Sequence, residues 1–136
     1  MYILVVAGDK AHDLFSITLT PLELDTKQFA ILFRLSHQGL LSQVELGKQM
    51  GIDRALMVQH IDYLEQRELV KRTPNLQDRR AHALKLTDKG QEILSQAIAL
   101  ARQVEAEILA PLSAEEQEQL NHLMNRVLAS HFIDDG

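Results

Sequence analysis

The 136-residue sequence contains no cysteine, and it has no long hydrophobic run. Without a thiol, the chain cannot form a disulfide, bind a metal through thiolates or carry a thiol redox switch. The apolar run from Tyr2 to Ala7 is too short to span a bilayer and lacks the basic flank of a signal peptide. We therefore expect a soluble, cytoplasmic protein with no membrane partner.

Catalytic motifs are missing as well. No Ser, His and acid form a recognisable nucleophile motif, and no Gly-rich phosphate loop is present. Asp9, His12 and Asp13 share one helical face, and Glu118 and His122 are four residues apart, a spacing that can hold a metal. Because each set offers only two or three potential ligands, we interpret both as solvated polar faces. We expect no enzymatic activity, no cofactor and no metal.

The composition, 46% hydrophobic and 24% charged, is typical of one globular subunit over residues 1–136. The net charge of −5 is unevenly distributed. Residues 67–89 contain seven basic and three acidic residues (+4), so the rest, with 7 basic and 16 acidic residues, carries −9. A cationic segment on an acidic body attracts phosphate to one edge. Alternatively, this segment is simply an exposed hairpin that collects Lys and Arg.

Two short helices precede this basic segment. Ser42 with Glu45 three residues later forms a capping box that starts one helix, and Gly51 ends it. Asp53 is a good N-cap for a second helix after a very tight turn. Two helices joined in this way form a helix-turn-helix, whose second helix can enter the major groove of DNA.

The second helix should bury one face and expose the other. Met57, Ile61 and Leu64 recur at four and three residues and therefore face the core. The opposite face presents Arg54, Ala55, Val58, Gln59 and Asp62, which are the candidates for contact with the groove. His60 lies beside the buried stripe, so we interpret it as a hydrogen-bonded core histidine.

A β-hairpin follows the second helix. Leu69–Thr73 and residues 81–86 alternate apolar and polar side chains, which predicts two paired strands. Pro74, Asn75 and Gln77 mark the turn between them, and Asp78, Arg79 and Arg80 lie where the turn rejoins the returning strand.

In these features the sequence resembles the MarR/SlyA-type winged helix-turn-helix regulators. The segments that carry the resemblance are PLELDTKQF (21–29), QVELGKQMGID (43–53), LEQRELVKR (64–72), DRRAHALKLTDKG (78–90) and SAEEQEQL (113–120). The resemblance implies a mainly α fold with a small β-hairpin wing. It divides the chain into a winged helix-turn-helix lobe over residues 26–87 and a helical dimerisation region over residues 1–22 and 88–136.

The remaining helices follow from spacing and capping signals. A first helix over residues 2–20 has apolar spacing at Leu14, Phe15 and Ile17, and an extended segment over residues 21–24 ends it. The next helices are predicted at 26–37, after Asp25 and Gln28, and at 43–50. Their expected inward faces are Phe29, Leu32 and Phe33 in one, and Val44, Leu46 and Met50 in the other.

Two long helices should complete the chain. Thr87 caps a helix over residues 88–110 with an apolar stripe at Leu94, Ile98, Ala101, Val104 and Ile108. Pro111 breaks it, and Ser113 with Glu116 opens a last helix with Leu120, Leu123, Met124, Val127 and Leu128 on one side. No large core within one subunit is available to these apolar stripes, so we expect them to pack against each other across a two-fold dimer.

The sequence therefore favours a dimeric, sequence-specific regulator that binds double-stranded DNA, represses transcription and recognises an inverted repeat. The predicted DNA-binding residues are Arg54, Ala55, Val58, Gln59, Arg72, Asp78, Arg79 and Arg80. The resemblance implies release from DNA by a small aromatic or phenolic effector. The alternative is a winged-helix module that binds proteins and not DNA, an interpretation favoured by the acidic total charge.

Two residues depart from the family pattern. Glu68 stands where the family usually has Gly, which suggests a slightly different exit from the second helix of the helix-turn-helix and leaves the wing angle open. Gln59 stands where relatives often carry an Arg that contacts a base, so the groove face should recognise a different base.

Overall fold

Six α-helices and a three-stranded antiparallel sheet form the part of the chain that the computed structural model describes, residues 2–74 and 82–131. In chain order the elements are α1 (Tyr2–Leu19), a 3-10 turn (Thr20–Leu22), α2 (Thr26–Gln38), β1 (Leu41–Ser42), α3 (Gln43–Met50), α4 (Arg54–Gln66), β2 (Val70–Pro74), β3 (His82–Leu86), α5 (Asp88–Leu109) and α6 (Ala114–His131). The predicted mainly α architecture with a small hairpin is confirmed.

The predicted helix starts are confirmed by their hydrogen bonds. At the start of α3, the Ser42 hydroxyl accepts from the Glu45 amide at 3.1 Å, and the Glu45 carboxylate accepts from the Ser42 amide at 3.1 Å. The same reciprocal pairs join Asp25 to Gln28 and Ser113 to Glu116. Asp53 accepts from the Leu56 amide, and Thr87 accepts from the Gly90 amide, both at 2.9 Å. These side chains satisfy amides that the first helical turn leaves unpaired.

The core lies where α2, α3, α4, the sheet and the first half of α5 meet. Its fully buried large side chains are Leu19, Ile31, Leu32, Leu46, Met57, Ile61, Leu64, Leu69, Val70, Leu84 and Leu94. Burying this apolar surface is the main force that holds the lobe together, because each such side chain contributes about 1.5–3 kcal/mol.

Some predicted inward positions are wrong. In α2 the buried residues are Ile31, Leu32 and Leu35, whereas Phe33 is 40% exposed. In α3, Leu46 is buried but Val44 is 56% exposed. Both helices bury the face that meets their neighbours, and an apolar residue outside that face stays accessible whatever its hydrophobicity.

The segment after α1 is not extended, contrary to the sequence prediction. Pro21 lies in a 3-10 turn over Thr20–Leu22, where its fixed φ fits a tight turn. Glu23 follows in the left-handed conformation, with φ 54°. The chain thereby reverses between α1 and α2 over a few residues.

The sheet contains one strand that the sequence analysis missed. The order is β1-β3-β2, and the two-residue β1 pairs antiparallel with β3 through Leu41 with Leu84 and Ser42 with Ala83. A two-residue strand has no alternating pattern to detect, so only its partner defines it. Strands β2 and β3 form the predicted hairpin; β2 is shifted by one residue from the predicted range, and residue 81, the predicted start of the second strand, lies outside the described residues.

The exit from α4 keeps a tight geometry although no glycine is present. Glu68 adopts φ 61°, the left-handed conformation that glycine normally supplies. The Leu69 amide donates to the Leu64 carbonyl and the Glu68 amide to the Glu65 carbonyl, both at 2.9 Å, which is the Schellman arrangement. Glu68 therefore keeps the backbone geometry of a glycine exit, contrary to the different exit expected, at a cost in backbone strain, and its effect on the wing angle is untested.

The first turn of α5 presses directly on the loop that enters β2. A Cβ atom at Gly90 would collide with the carbonyl oxygen of Leu69. The Thr87 hydroxyl also donates to the Glu68 carbonyl at 2.6 Å. A glycine at position 90 therefore lets α5 lie against the base of the hairpin.

Helices α1, α5 and α6 lie beside this lobe, with α1 packed on α5 and α2. Within the described ranges, no helix combines the length and the apolar character needed to cross a membrane.

Candidate nucleic-acid interface

Helix α4 turns one face to the core and the other to solvent, as predicted. Met57, Ile61 and Leu64 are at most 1% exposed. The opposite face carries the predicted groove residues, of which Arg54, Ala55, Gln59 and Asp62 are exposed and Val58 is half-buried. Arg54, Ala55 and Gln59 are therefore available to a partner, whereas Asp62 is paired with Arg72.

A wide groove of about 900 Å³ runs along the start of α4, between α3 and the hairpin. Besides Arg54, its lining includes Val44 and Lys48 from α3 and His82 from β3, none of which we predicted. Val44 and Lys48 are four residues apart and so share a helical face. That spacing could have identified them, had Val44 not been assigned to the core.

Arg72, predicted as a DNA contact, lies between the recognition helix and the hairpin. Its guanidinium binds Asp62 at 2.6 Å and Glu65 at 3.0 Å, and its side chain is only 21% exposed. Its backbone amide also donates to Glu65 at 3.1 Å. Arg72 reaches these carboxylates because it lies, with its cross-strand partner Leu84, on the sheet face that meets α4. The pair fixes β2 against α4, and a direct contact of Arg72 with DNA stays a prediction.

The other basic side chains of residues 67–89 that the structure describes lie on different surfaces of the protein. Lys71 and Lys85 are exposed cross-strand partners on the sheet face opposite to Arg72. Lys89 pairs with the carboxylate of Glu68 at 3.8 Å, and Arg67 contacts backbone carbonyls near the end of α1. The positive charge of this segment therefore does not form one continuous patch among the described residues.

The predicted anchors at the hairpin tip, Asp78, Arg79 and Arg80, lie outside the described residues. Their assignment stays a prediction. The two strands that lead to them end at Pro74 and begin again at His82, next to the groove.

His60 is a core histidine, as predicted, and it is 8% exposed. The Gln28 amide nitrogen lies 3.4 Å from His60 Nδ1, while the Gln28 carbonyl oxygen is held by the capping box. The same Nδ1 lies 3.9 Å from the Asp25 carboxylate. Nε2 has no hydrogen-bond partner in the described part of the chain.

Of the candidate metal ligands, His12 makes a polar contact with a neighbouring helix. His12 Nε2 lies 3.2 Å from the Thr26 hydroxyl. Within residues 2–74 and 82–131, no group of three or more His, Asp or Glu side chains is arranged to hold a metal.

Two short helices joined by a tight turn, with the second exposed beside an open groove and followed by a hairpin, define the winged helix-turn-helix class. A sequence model of the MarR family matches residues 24–82, which include α2, α3, α4 and β2. The chain belongs to the MarR family of transcriptional regulators.

Solved structures agree with this membership over nearly the whole chain. The apo form of MarR from E. coli is 29% identical with a TM-score of 0.85, and the match covers 93% of this chain and 94% of that one. A probable transcriptional regulator from Pseudomonas aeruginosa is 32% identical with a TM-score of 0.79, over 93% and 94% of the two chains. A mutant E. coli MarR complexed with operator DNA is 28% identical with a TM-score of 0.79, over 93% and 91%.

Proposed function

We propose that this protein is a dimeric repressor that binds an inverted repeat in double-stranded DNA through α4 and the hairpin. The observation that carries the proposal is the exposed face of α4, which borders an open groove while its opposite face is buried. A similar chain, the E. coli MarR mutant, has been solved with operator DNA. Two recognition helices in a dimer would enter successive major grooves about 34 Å apart.

The side chains on the exposed face suit recognition of bases. Ala55 and Val58 can contact only a thymine methyl group or exclude water, whereas the Gln59 amide offers both a donor and an acceptor. A glutamine amide matches the N6 donor and N7 acceptor of adenine. We infer an A·T base pair opposite Gln59 in each half-site.

The apolar surface of the long helices supports dimerisation through residues 1–22 and 88–136. Within the described residues, eleven of the fourteen exposed large hydrophobic side chains lie on α1, α5 and α6. They include Ile3, Ile17, Leu123 and Val127, which are 43–83% exposed. Monomeric soluble proteins rarely expose large apolar patches, so we infer that a second copy covers these side chains. Light scattering should give twice the 15.4 kDa chain mass, and a folded monomer would contradict the proposal.

A cavity between the long helices and the winged lobe supports release by a small aromatic effector. It has a volume of about 590 Å³, within the usual range for ligand sites, and is lined by residues of α1, α2, α5 and α6. Phe15, Phe29 and Phe33 form an aromatic wall, with Phe15 edge-on to Phe29 at 4.9 Å. His12 and Arg102 add polar groups that could pair with a carboxylate or phenolate. A ligand here would favour one arrangement of the lobe relative to the long helices.

The test is binding to DNA from upstream of the protein's own gene, measured by fluorescence anisotropy over a range of salt concentrations. We expect tighter binding than to a scrambled duplex of the same length, by at least about 1,000-fold. The logarithm of the affinity should fall linearly with the logarithm of the salt concentration. Equal affinity for both duplexes would contradict sequence-specific recognition. No binding to either duplex would favour the protein-interaction alternative.

A further inference from the structure

The C-terminal half of the recognition helix is hydrogen-bonded to the link between α1 and α2. The Tyr63 hydroxyl donates to the Glu23 carbonyl at 2.6 Å. The Arg67 guanidinium donates to the same carbonyl at 2.8 Å and to the Leu22 carbonyl at 3.0 Å. We call these two side chains with the two carbonyls the hinge clamp.

The two donors form one unit on α4. Tyr63 and Arg67 are four residues apart, so they lie on the same helical face. The Arg67 guanidinium carbon lies 5.5 Å from the centre of the Tyr63 ring, within the range of a cation–π interaction. The planar fork of arginine, which lysine lacks, lets one side chain bind two successive carbonyls.

The acceptor side of the hinge clamp is strained. Glu23 has φ 54°, a left-handed conformation that costs a non-glycine residue about 1–2 kcal/mol. Such a conformation persists only where its surroundings hold it. Here the core anchors Leu19 and Leu24 on either side, at 0% and 5% exposure, and α4 holds the carbonyl between them. The clamp therefore fixes the direction in which the chain leaves α1.

The hinge clamp adds a direct link from α4 to the segment after α1, whereas α4 and α1 otherwise meet through their shared neighbour α2. The main neighbours of α4 are α2, α3 and β2, whereas α1 packs chiefly on α5 and α2. A direct bond from α4 to the link that follows α1 ties the groove-binding helix to the helices that we assign to the dimer.

We propose that Tyr63 and Arg67 are positioning residues that set the angle of the recognition helix relative to α1. In the dimer, this angle sets the separation of the two recognition helices and so the half-site spacing that the protein accepts. This inference rests on the proposed function, but the angle itself can be measured without DNA and without a dimer.

The first measurement is the distance between α1 and α4 inside one subunit. The chain has no cysteine, so spin labels can be attached at Lys10→Cys and Ala55→Cys, both exposed positions. Dilution with unlabelled protein removes distances between subunits. We expect Tyr63→Phe combined with Arg67→Met to broaden the distance distribution measured by pulsed electron paramagnetic resonance. Circular dichroism tests whether each variant is folded. If the double variant is unfolded, the single variant Tyr63→Phe replaces it, and it too should broaden the distance distribution.

Lys89→Met is the matched control for the lost charge. Among the described residues, Lys89 makes an exposed ion pair with Glu68 and takes no part in the hinge clamp. The control should retain the wild-type distribution. A folded clamp variant with the wild-type distribution would overturn the inference.

The second measurement uses operators whose half-sites are moved apart one base pair at a time. Each step adds about 3.4 Å and about a tenth of a turn, so a rigid dimer should bind one spacing best. We expect the clamp variant to reduce the preference for the best spacing over its neighbours by about 5- to 10-fold, whereas Lys89→Met retains it. An unchanged preference in the clamp variant would overturn the inference. If the wild type binds all spacings equally, the proposed dimeric recognition is wrong, and the distance measurement alone decides on the clamp.

Discussion

Replacing Glu68 by glycine should stabilise the protein, although it removes an ion pair. The left-handed backbone of Glu68, φ 61°, costs a residue with a Cβ atom about 1–2 kcal/mol. Glycine avoids this cost but loses about 0.5–1 kcal/mol through the greater freedom of the unfolded chain. The lost contact with Lys89 is worth little, because the two side chains are 83% and 56% exposed.

Glu68→Ala is the matched control, because it removes the same carboxylate but keeps the Cβ atom. We expect Glu68→Gly to exceed Glu68→Ala in unfolding free energy by about 1 kcal/mol. At a urea dependence of about 2 kcal/mol per molar, the unfolding midpoint should differ by about 0.5 M. Both variants must be unfolded at one protein concentration, since the stability of a dimer depends on it. A glycine variant no more stable than the alanine variant would refute the strain at this helix exit.

Three further predictions follow from the hairpin and its base. Gly90→Ala should destabilise the fold by about 1–3 kcal/mol in urea unfolding, because the new methyl group would collide with the Leu69 carbonyl. A variant as stable as the wild type would contradict this packing. Arg72→Met should destabilise the fold by about 1–2 kcal/mol, because Asp62 and Glu65 of α4 lose their partner. An unchanged midpoint of thermal unfolding would argue against a stabilising role of these two ion pairs. Arg79→Ala with Arg80→Ala should reduce the salt slope of DNA binding by about one unit per lost phosphate contact, and an unaltered slope would remove both residues from the interface.

The helix boundaries and the helix-turn-helix could be predicted because their signals are local. Ser42, Asp53 and Thr87 form caps with residues three positions away, and Gly51 ends α3 through its own backbone conformation. Such interactions need no knowledge of the tertiary fold. The two helices and the two strands of the hairpin therefore lie close to where the sequence predicts them.

Whether a side chain faces outward or inward depends on contacts with residues that are distant in sequence. Arg72 lies against two carboxylates of α4 because of the strand register, and Arg67 reaches the carbonyls of residues 22 and 23, more than forty positions earlier. Val44 is exposed because it faces the groove between α3 and the hairpin and not the core. Local periodicity cannot predict such pairings, since it carries no information on which elements meet.

The substitution Gln59→Arg tests most directly whether the exposed face of α4 recognises DNA sequence. Gln59 is exposed on that face, so the longer side chain should be accommodated without a change in stability. Selection from random DNA should return an inverted repeat for the wild type with A or T opposite Gln59. For the variant, one position in each half-site should change to G, with a preference of about 1–3 kcal/mol, because arginine pairs with guanine O6 and N7. An identical selected site for both proteins would contradict base recognition by this face of α4.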